Sequence, residues 1–218
     1  MEKKKTYQAI EPNTVQQKAL RIIKGTASFC DRFVPEHEDL VKLINELRLS
    51  GCTIVFTTGV WDLIHIGHAE YISKGKKEAA KLYPETDQVI MVVGVDTDEL
   101  TKQRKGPDRP IVPQEERLKM LGHLRAVDIL TLQYEHDSLQ GIIDHDVRVI
   151  SQSTEDLPEI ERIQSRCAHV VNLPPQAETS TTARVRRLTL DGAANVLLKI
   201  EKGLTATLEE VRRELEKK

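Results

Sequence analysis

One short run rich in β-branched residues and one continuous apolar run constrain the fold of this 218-residue chain more than any other feature. They cover residues 53–58 (TIVFTT) and residues 88–95 (QVIMVVGV). A strand with one buried face alternates apolar and polar side chains, whereas a strand buried on both faces is apolar throughout. Both runs therefore predict strands of a parallel sheet that has helices on each face.

The same reasoning predicts the remaining elements. Further strands are predicted over residues 127–132, 147–150 and 169–173. Apolar residues at helical spacing predict helices over 13–24, between Pro35 and Gly51, and over 67–82, 114–124, 138–143, 157–166, 181–190 and 204–216. The Gly- and Pro-rich residues 101–113 are predicted to form a loop. The alternation indicates an α/β fold, a Rossmann-like doubly wound parallel sheet of about five strands with flanking helical extensions.

The predicted domain is flanked by additional segments on both sides. We expect an N-terminal helical extension over 1–50, a catalytic domain over 51–190 and a C-terminal helical extension over 191–218. The extensions cover a sheet edge, form a dimer interface or shape a substrate pocket, and their sequence does not choose among these roles.

Composition excludes several classes of partner. Lys and Arg number 32 against 34 Asp and Glu, so the net charge of −2 offers no general field for a nucleic-acid backbone. No run approaches the roughly 20 apolar residues of a membrane span. Cys30, Cys52 and Cys167 form no CxxC pair, which predicts no zinc site and favours a cytoplasmic, reducing location.

Residues 58–68 (TGVWDLIHIGH) carry the strongest indication of chemistry. They lie where a strand should end and a helix should begin. Gly59 permits close approach of a ligand to the backbone, and a helix N-terminus attracts anions. His65 and His68 are three residues apart at that terminus, so both imidazoles can face a phosphate. A chance turn with two satisfied histidines is the alternative, and the strand-before, helix-after context favours the functional interpretation.

Three motifs in order resemble the cytidylyltransferase-like nucleotidyltransferase superfamily. The first is the Gly, aromatic-Asp pair and HxGH within residues 58–68. The second, residues 105–113 (KGPDRPIVP) followed by Glu116-Arg117 and by residues 124–128 (LRAVD), is similar to the heptose-1-phosphate nucleotidyltransferase branch. It is more loosely similar to glycerol-3-phosphate cytidylyltransferases. The third, residues 179–182 (TSTT), is similar to the Ser-Thr-Thr that opens a late helix in the family.

The resemblance implies a reaction in which a phosphate oxygen of an acceptor attacks the α-phosphate of a nucleoside triphosphate and pyrophosphate leaves. A phosphate monoester is ionised near pH 7, so positioning and charge stabilisation carry the catalysis. The resemblance implies catalytic roles for His65, His68 and Lys105, and an acceptor-binding or orienting role for Asp62. It assigns nucleotide binding to Thr58, Gly59, Val60, Gly67, Arg117, Ser180 and Thr181. It also implies Mg²⁺ held mostly by the triphosphate and water, and it suggests a homodimer.

Structural explanations compete with several of these roles. Lys105 is otherwise a solvated charge, and Arg117 is otherwise part of a surface ion pair. Ser180 and Thr181 otherwise cap a helix. Trp61 is predicted to serve packing rather than chemistry.

Two departures from the family pattern keep alternatives open. Residues 151–156 (SQSTED) replace a Gly-Asp element near the base, so ATP and CTP are not distinguished. Glu178 stands where the family often has Gly, and a carboxylate repels a triphosphate unless it faces away or meets the metal. The expected function is transfer of NMP to a phosphorylated sugar or polyol. The alternatives are a glycerol-phosphate-type cytidylyltransferase and a non-catalytic nucleotide-binding regulator.

Overall fold

The computed structural model describes residues 14–86, 88–136, 138–151, 163, 167–174, 190, 192, 196–202 and 212. The chain divides into two compact units, Met1–Gln176 and Ala177–Lys218. The first unit holds the sheet. In the second unit, residues 196–202 are helical. The domain boundaries predicted after residues 50 and 190 stay predictions.

A five-stranded parallel sheet forms the centre of the first unit. Its strands are β1 (Cys52–Gly59), β2 (Gln88–Asp96), β3 (Ile129–Gln133), β4 (Val147–Ile150) and β5 (His169–Asn172), in the order β3-β2-β1-β4-β5. From β1 the chain adds two strands on one side and then two on the other, so the strand order reverses between β1 and β4. The predicted α/β fold with a doubly wound sheet is confirmed.

Seven helices with described ends accompany these strands in the first unit. They are α1 (Val15–Ile23), α2 (Phe29–Arg32), α3 (His37–Leu49), α4 (Ile66–Leu82), α5 (Asp98–Lys105), α6 (Gln114–Gly122) and α7 (Ser138–Ile142). No described helix is long and apolar enough to cross a membrane.

Apolar layers on both faces of the sheet explain the uninterrupted apolar run of β2. Val89, Met91 and Val93 belong to the layer that includes side chains of α4 and α6. Ile90 and Val92 belong to the opposite layer, which includes side chains of α1 and α3. Successive strand residues point to opposite faces, so both sets must be apolar. Each such side chain contributes about 1.5–3 kcal/mol when fully buried.

Residues 29–34 protect the β3 edge of the sheet. The Val34 amide donates to the Leu130 carbonyl at 2.9 Å, and Phe33 forms a parallel bridge with Leu130. Arg32 donates to the carbonyls of Val127 and Gly122 at 3.0 and 2.6 Å. Of the roles left open for the N-terminal extension, covering a sheet edge is therefore the one that the described contacts support.

The loop predicted over 101–113 is only partly a loop, because α5 continues to Lys105. Thr97 caps this helix by accepting from the Leu100 amide at 3.2 Å, and acidic residues lie in its first turn. Gly106, with φ of 98°, ends it. Helix α2 was not predicted. The helices predicted over 157–166, 181–190 and 204–216 lie almost entirely outside the described residues.

Candidate active site

The residues between β1 and α4 form a loop at the carboxyl edge of the sheet. This edge, where the strand order reverses, is where open α/β sheets bind ligands. Thr58 and Gly59 end β1, the loop follows, and Gly67 lies buried in the first turn of α4. The sequence-based prediction of a strand, a turn and a helix across residues 58–68 is therefore confirmed.

Two residues of this loop adopt the left-handed backbone region. Trp61 has φ of 57° and Leu63 has φ of 47°, which costs energy in side chains larger than glycine. The buried Trp61 ring offsets that cost by packing, and its Nε1 donates to the Gly94 carbonyl at 2.9 Å. A Cβ on Gly59 would lie 3.2 Å from this ring. Trp61 thus fixes the loop, in agreement with its prediction as a packing residue.

His65 and His68 share the N-terminus of α4. His65 is the cap residue, and its Nδ1 accepts from the Gly67 amide at 3.1 Å. Nδ1 of His68 accepts from the His65 amide at 3.3 Å, and the two ring centroids lie 4.0 Å apart. A nitrogen that accepts a hydrogen bond carries no proton, so each ring, in its neutral form, carries its proton on Nε2. The pair is consequently built to donate.

The surroundings of His68 keep its ring neutral. Burial, with smaller contributions from the neighbouring His65 and the Lys105 charge, lowers its pKa to about 4, against an opposing effect of Asp62. A neutral donor that faces an anion needs no change of protonation near pH 7.

Asp62 ties the loop to the segment after α5. Its carboxylate is 4% exposed and accepts from the amides of Ile111 and Val112, each at 3.0 Å. Arg109 pairs with the same carboxylate at 3.2 Å. Of the two predicted roles for Asp62, these contacts favour orienting the site over binding an acceptor.

Arg117 lies beneath this junction with none of its surface exposed. Its guanidinium donates to the Val112 carbonyl at 2.9 Å, to the Val60 carbonyl, and to the Asp98 carboxylate at 2.6 Å. Arg117 does form an ion pair, with Asp98, but its side chain is buried rather than on the surface. The nucleotide-binding role predicted for Arg117 stays a prediction. Its contacts with Val60, Val112 and Asp98 hold three segments of the chain together.

Lys105 is the last residue of α5 rather than part of the predicted loop. The side chain is exposed, and its charge is close enough to lower the pKa of His68. The structure thus brings Lys105, His65, His68 and Asp62 to one region.

Arg148 on β4 is a site neighbour that the sequence analysis missed. It donates to the Thr58 hydroxyl at 2.8 Å, and its guanidinium lies 4.3 Å from the centre of the Phe56 ring. It is buried at the point where the strand order reverses. A charged residue inside the apolar run VRVI was the available signal, since a strand buried on both faces rarely carries one.

Other predicted site features fall outside the described residues. These are Ser180, Thr181, Glu178 and most of the 151–156 segment. Among the residues that the structure describes, no group of three or more His, Cys, Asp or Glu side chains is arranged to hold a metal ion.

The Rossmann-like fold and the paired-histidine junction define the class of domain. The profile of the cytidylyltransferase-like family matches residues 56–187, more than half of the chain. The chain belongs to this family, and the family resemblance expected from the three motifs is confirmed.

Curated relatives and a solved structure are similar to this chain. The bifunctional protein HldE of a Nitratiruptor species is 33% identical over 162 residues, covering 72% of this chain and 32% of HldE. HldE of Escherichia coli O1:K1 / APEC is 29% identical over 163 residues with the same coverage. The chain thus spans about a third of the length of these relatives. A lipopolysaccharide core biosynthesis protein from Thermoplasma volcanium has a TM-score of 0.44 and 27% identity, covering 56% of this chain and 97% of that protein.

Proposed function

We propose that this protein transfers the NMP group of ATP or CTP to a phosphorylated sugar or polyol and releases pyrophosphate. The observation that carries the proposal is the pair of Nδ1-anchored histidines at the start of α4. Family membership and the second motif, residues 105–113, support a sugar phosphate as the acceptor.

In this reaction the substrates supply the reacting atoms, and the protein positions them and stabilises the developing charge. An acceptor phosphate oxygen forms a bond to the α-phosphorus, and the bond from that phosphorus to the bridging oxygen of the β-phosphate breaks. The acceptor oxygen is already ionised, so no residue has to remove a proton. Nε2–H groups of His65 and His68 would donate to the α-phosphate oxygens as negative charge develops. Lys105 and the positive end of α4 would stabilise the triphosphate.

Mg²⁺ belongs to this proposal as an ion that arrives with the triphosphate. The carboxylate of Asp62, in the loop between β1 and α4, is already committed to two amides and Arg109. The described residues therefore do not build a cage for the ion, and we assign no catalytic step to it. Triphosphate oxygens and water are sufficient ligands. A homodimer and a cytoplasmic location are also part of the proposal.

The test is pyrophosphate release measured with ATP and CTP separately, each with Mg²⁺ and a panel of sugar and polyol phosphates. Release with one triphosphate and a sugar phosphate is the expected result. Release with CTP and glycerol phosphate would instead identify a glycerol-phosphate-type cytidylyltransferase. A triphosphate that raises the Tm without release by any acceptor would favour a nucleotide-binding regulator. No change in Tm with either triphosphate would contradict the roles given to His65 and His68.

A further inference from the structure

A second basic group lies at the same edge of the sheet, at the ends of β2 and β3. Asp96 ends β2, and its carboxylate accepts from Arg104 at 2.6 Å and from the Gln133 amide at 3.0 Å. We call Asp96, Arg104 and Gln133 the Arg104 clamp. Because Gly59 pairs with Val95, Asp96 comes directly after the β2 residue beside the start of the loop between β1 and α4. Adjacent strands are about 4.8 Å apart, so the clamp adjoins the candidate active site.

The clamp is built from unusually buried polar groups. Asp96 is 0% exposed and Gln133 is 1% exposed. Burial raises the pKa of the Asp96 carboxyl, against the opposing effects of Arg104, Gln133 and His136. Among the described residues, Oε1 of Gln133 has no hydrogen-bond partner. An ion pair whose acid is this deeply buried adds little net stability, because desolvation costs about as much as the attraction returns. A contribution to folding stability therefore does not by itself explain why Asp96 and Arg104 are paired here.

Arg104 is the member of the clamp that reaches solvent. Its side chain is 37% exposed, although Asp96 holds one of its terminal nitrogens. A guanidinium has five N–H groups in a planar fork. Within the described residues, Arg104 donates one of them to the Asp96 carboxylate. The carboxylate thus fixes the plane of the fork and leaves N–H groups for another acceptor.

Neighbouring residues on α5 face different parts of the edge. Consecutive helical residues point about 100° apart. The charge of Lys105 lowers the pKa of His68, whereas Arg104 donates a hydrogen bond to Asp96 at the end of β2. Arg104 is therefore directed toward the β2 and β3 side of the site, away from the start of α4.

We propose that Arg104, held by Asp96 and Gln133, binds the phosphate group of the acceptor substrate, while Lys105 serves the triphosphate. This inference rests on the proposed function and deepens it. Arg104 would draw the acceptor phosphate, a sugar or polyol phosphate, to the β2 side of the α-phosphate. Asp96 and Gln133 are positioning residues, since they act through the guanidinium. A planar fork suits a phosphate, for which it offers two parallel N–H groups.

The competing explanation is that Arg104 only neutralises a buried carboxylate. The two explanations differ in what removal of the charge does. A binding role changes the KM for the acceptor and spares the KM for the triphosphate. A neutralising role changes the Tm alone, and removing both charges together would restore it.

The experiment compares the full-length wild type with Arg104→Gln, Arg104→Lys and Asp96→Asn in steady-state pyrophosphate release. The acceptor is the sugar or polyol phosphate that the wild type uses best. Arg104→Gln should raise the acceptor KM about 10- to 100-fold with little change in the triphosphate KM. Arg104→Lys, which keeps the charge and loses the fork, should give an intermediate KM. Asp96→Asn should raise the acceptor KM at a nearly unchanged Tm. Lys102→Gln removes one charge from the same helix and should match the wild type.

Three results would overturn the inference. The first is an acceptor KM within twofold of wild type in Arg104→Gln, with a lowered Tm that Asp96→Asn/Arg104→Gln restores. The second is a raised triphosphate KM with the acceptor KM unchanged, which would assign Arg104 to the triphosphate. Both leave the proposed function standing. The third is a wild type that releases no pyrophosphate and whose Tm no triphosphate raises, which removes the proposed function and this inference together.

Discussion

The two histidines at the start of α4 serve the helix as well as the proposed chemistry. Each Nδ1 accepts a hydrogen bond from a backbone amide that would otherwise lack a partner at the start of the helix. Removing either ring therefore changes the helix start and the donor set at once. A useful variant must replace the cap while removing the imidazole.

His65→Asn separates those two functions. Asn is among the best N-cap residues, so the Tm should stay close to that of wild type. The imidazole donor is lost, and kcat for pyrophosphate release should fall about 10²- to 10³-fold, the usual effect of removing one preorganised oxyanion donor. His65→Ala should lose activity and also about 1 kcal/mol of stability. Wild-type turnover in His65→Asn would refute the catalytic role.

His68 predicts how stability depends on pH. Its pKa is about 4 in the folded chain against 6.5 as the ordinary value, so the unfolded chain binds the proton more tightly. The free energy of unfolding should therefore fall as pH decreases through 6.5 and level off below about 4. Between pH 7.5 and 5, His68 should account for about 1 kcal/mol of that loss, less than the full shift allows because part of the ring meets solvent.

The measurement is urea unfolding of wild type and His68→Asn at both pH values. The difference in free energy of unfolding between wild type and His68→Asn should be less favourable to the wild type at pH 5 than at pH 7.5. A difference that favours the wild type equally or more at pH 5 would show that the ring is not held neutral.

Sequence patterns located the histidines but not the groups that hold them in place. His65 and His68 were found because a motif fixes their spacing between a strand and a helix. Arg117 looked like one charge on a charged helix, and its burial follows from where α6 packs, which spacing does not encode. Arg148 was visible as a charge in a buried strand, yet its contact with Thr58 depends on β4 lying beside β1.

At the scale of elements, apolar periodicity predicted the sheet well and the polar helix α5 poorly. The five predicted strands all occur, with ends that shift by at most two residues. Helix α5 has Leu100 as its one large apolar residue, so it lacks the stripe on which the prediction depends. Capping by Thr97 and charges suited to each helix end stabilise it instead.

The packing of α4 on β4 makes Gly75→Ala an informative variant. In a helix, alanine is normally favoured over glycine by about 1 kcal/mol. Here an added Cβ would lie 2.9 Å from both methyl groups of Val149, in a buried layer. We expect a net destabilisation of about 1–3 kcal/mol from overpacking, measured by urea unfolding.

Val149→Ala supplies the matched test for that steric argument. Alone it should destabilise by leaving space, and combined with Gly75→Ala it should recover part of the loss. Additive losses in the double variant would show that the two side chains do not compete for the same volume.

At the scale of the whole molecule, the N-terminal extension completes the sheet. Its residues 33–34 occupy the β3 edge, and Ala19 and Ile22 of α1 enter one of the two apolar layers. A chain that begins after residue 34 should lose several kcal/mol of stability and self-associate through the uncovered edge. Sedimentation velocity should detect species larger than those of the full-length chain.

Deletion of residues 1–13 is the control for that truncation. It leaves α1 and the edge contacts in the chain, so the size distribution and the free energy of unfolding should match those of the 218-residue chain. A chain lacking residues 1–34 that behaves in the same way would show that the extension does not protect the edge.

The bond from Val34 to Leu130 also sets an order of events during synthesis. The ribosome makes residue 34 long before residue 130, and at about 5–20 residues per second the interval is roughly 5–20 s. During that interval α1 and α3 can dock on each other, but residues 33–34 have no strand to join. The segment that covers the β3 edge is made before every strand of the sheet, so a nascent chain must keep it available until β3 emerges.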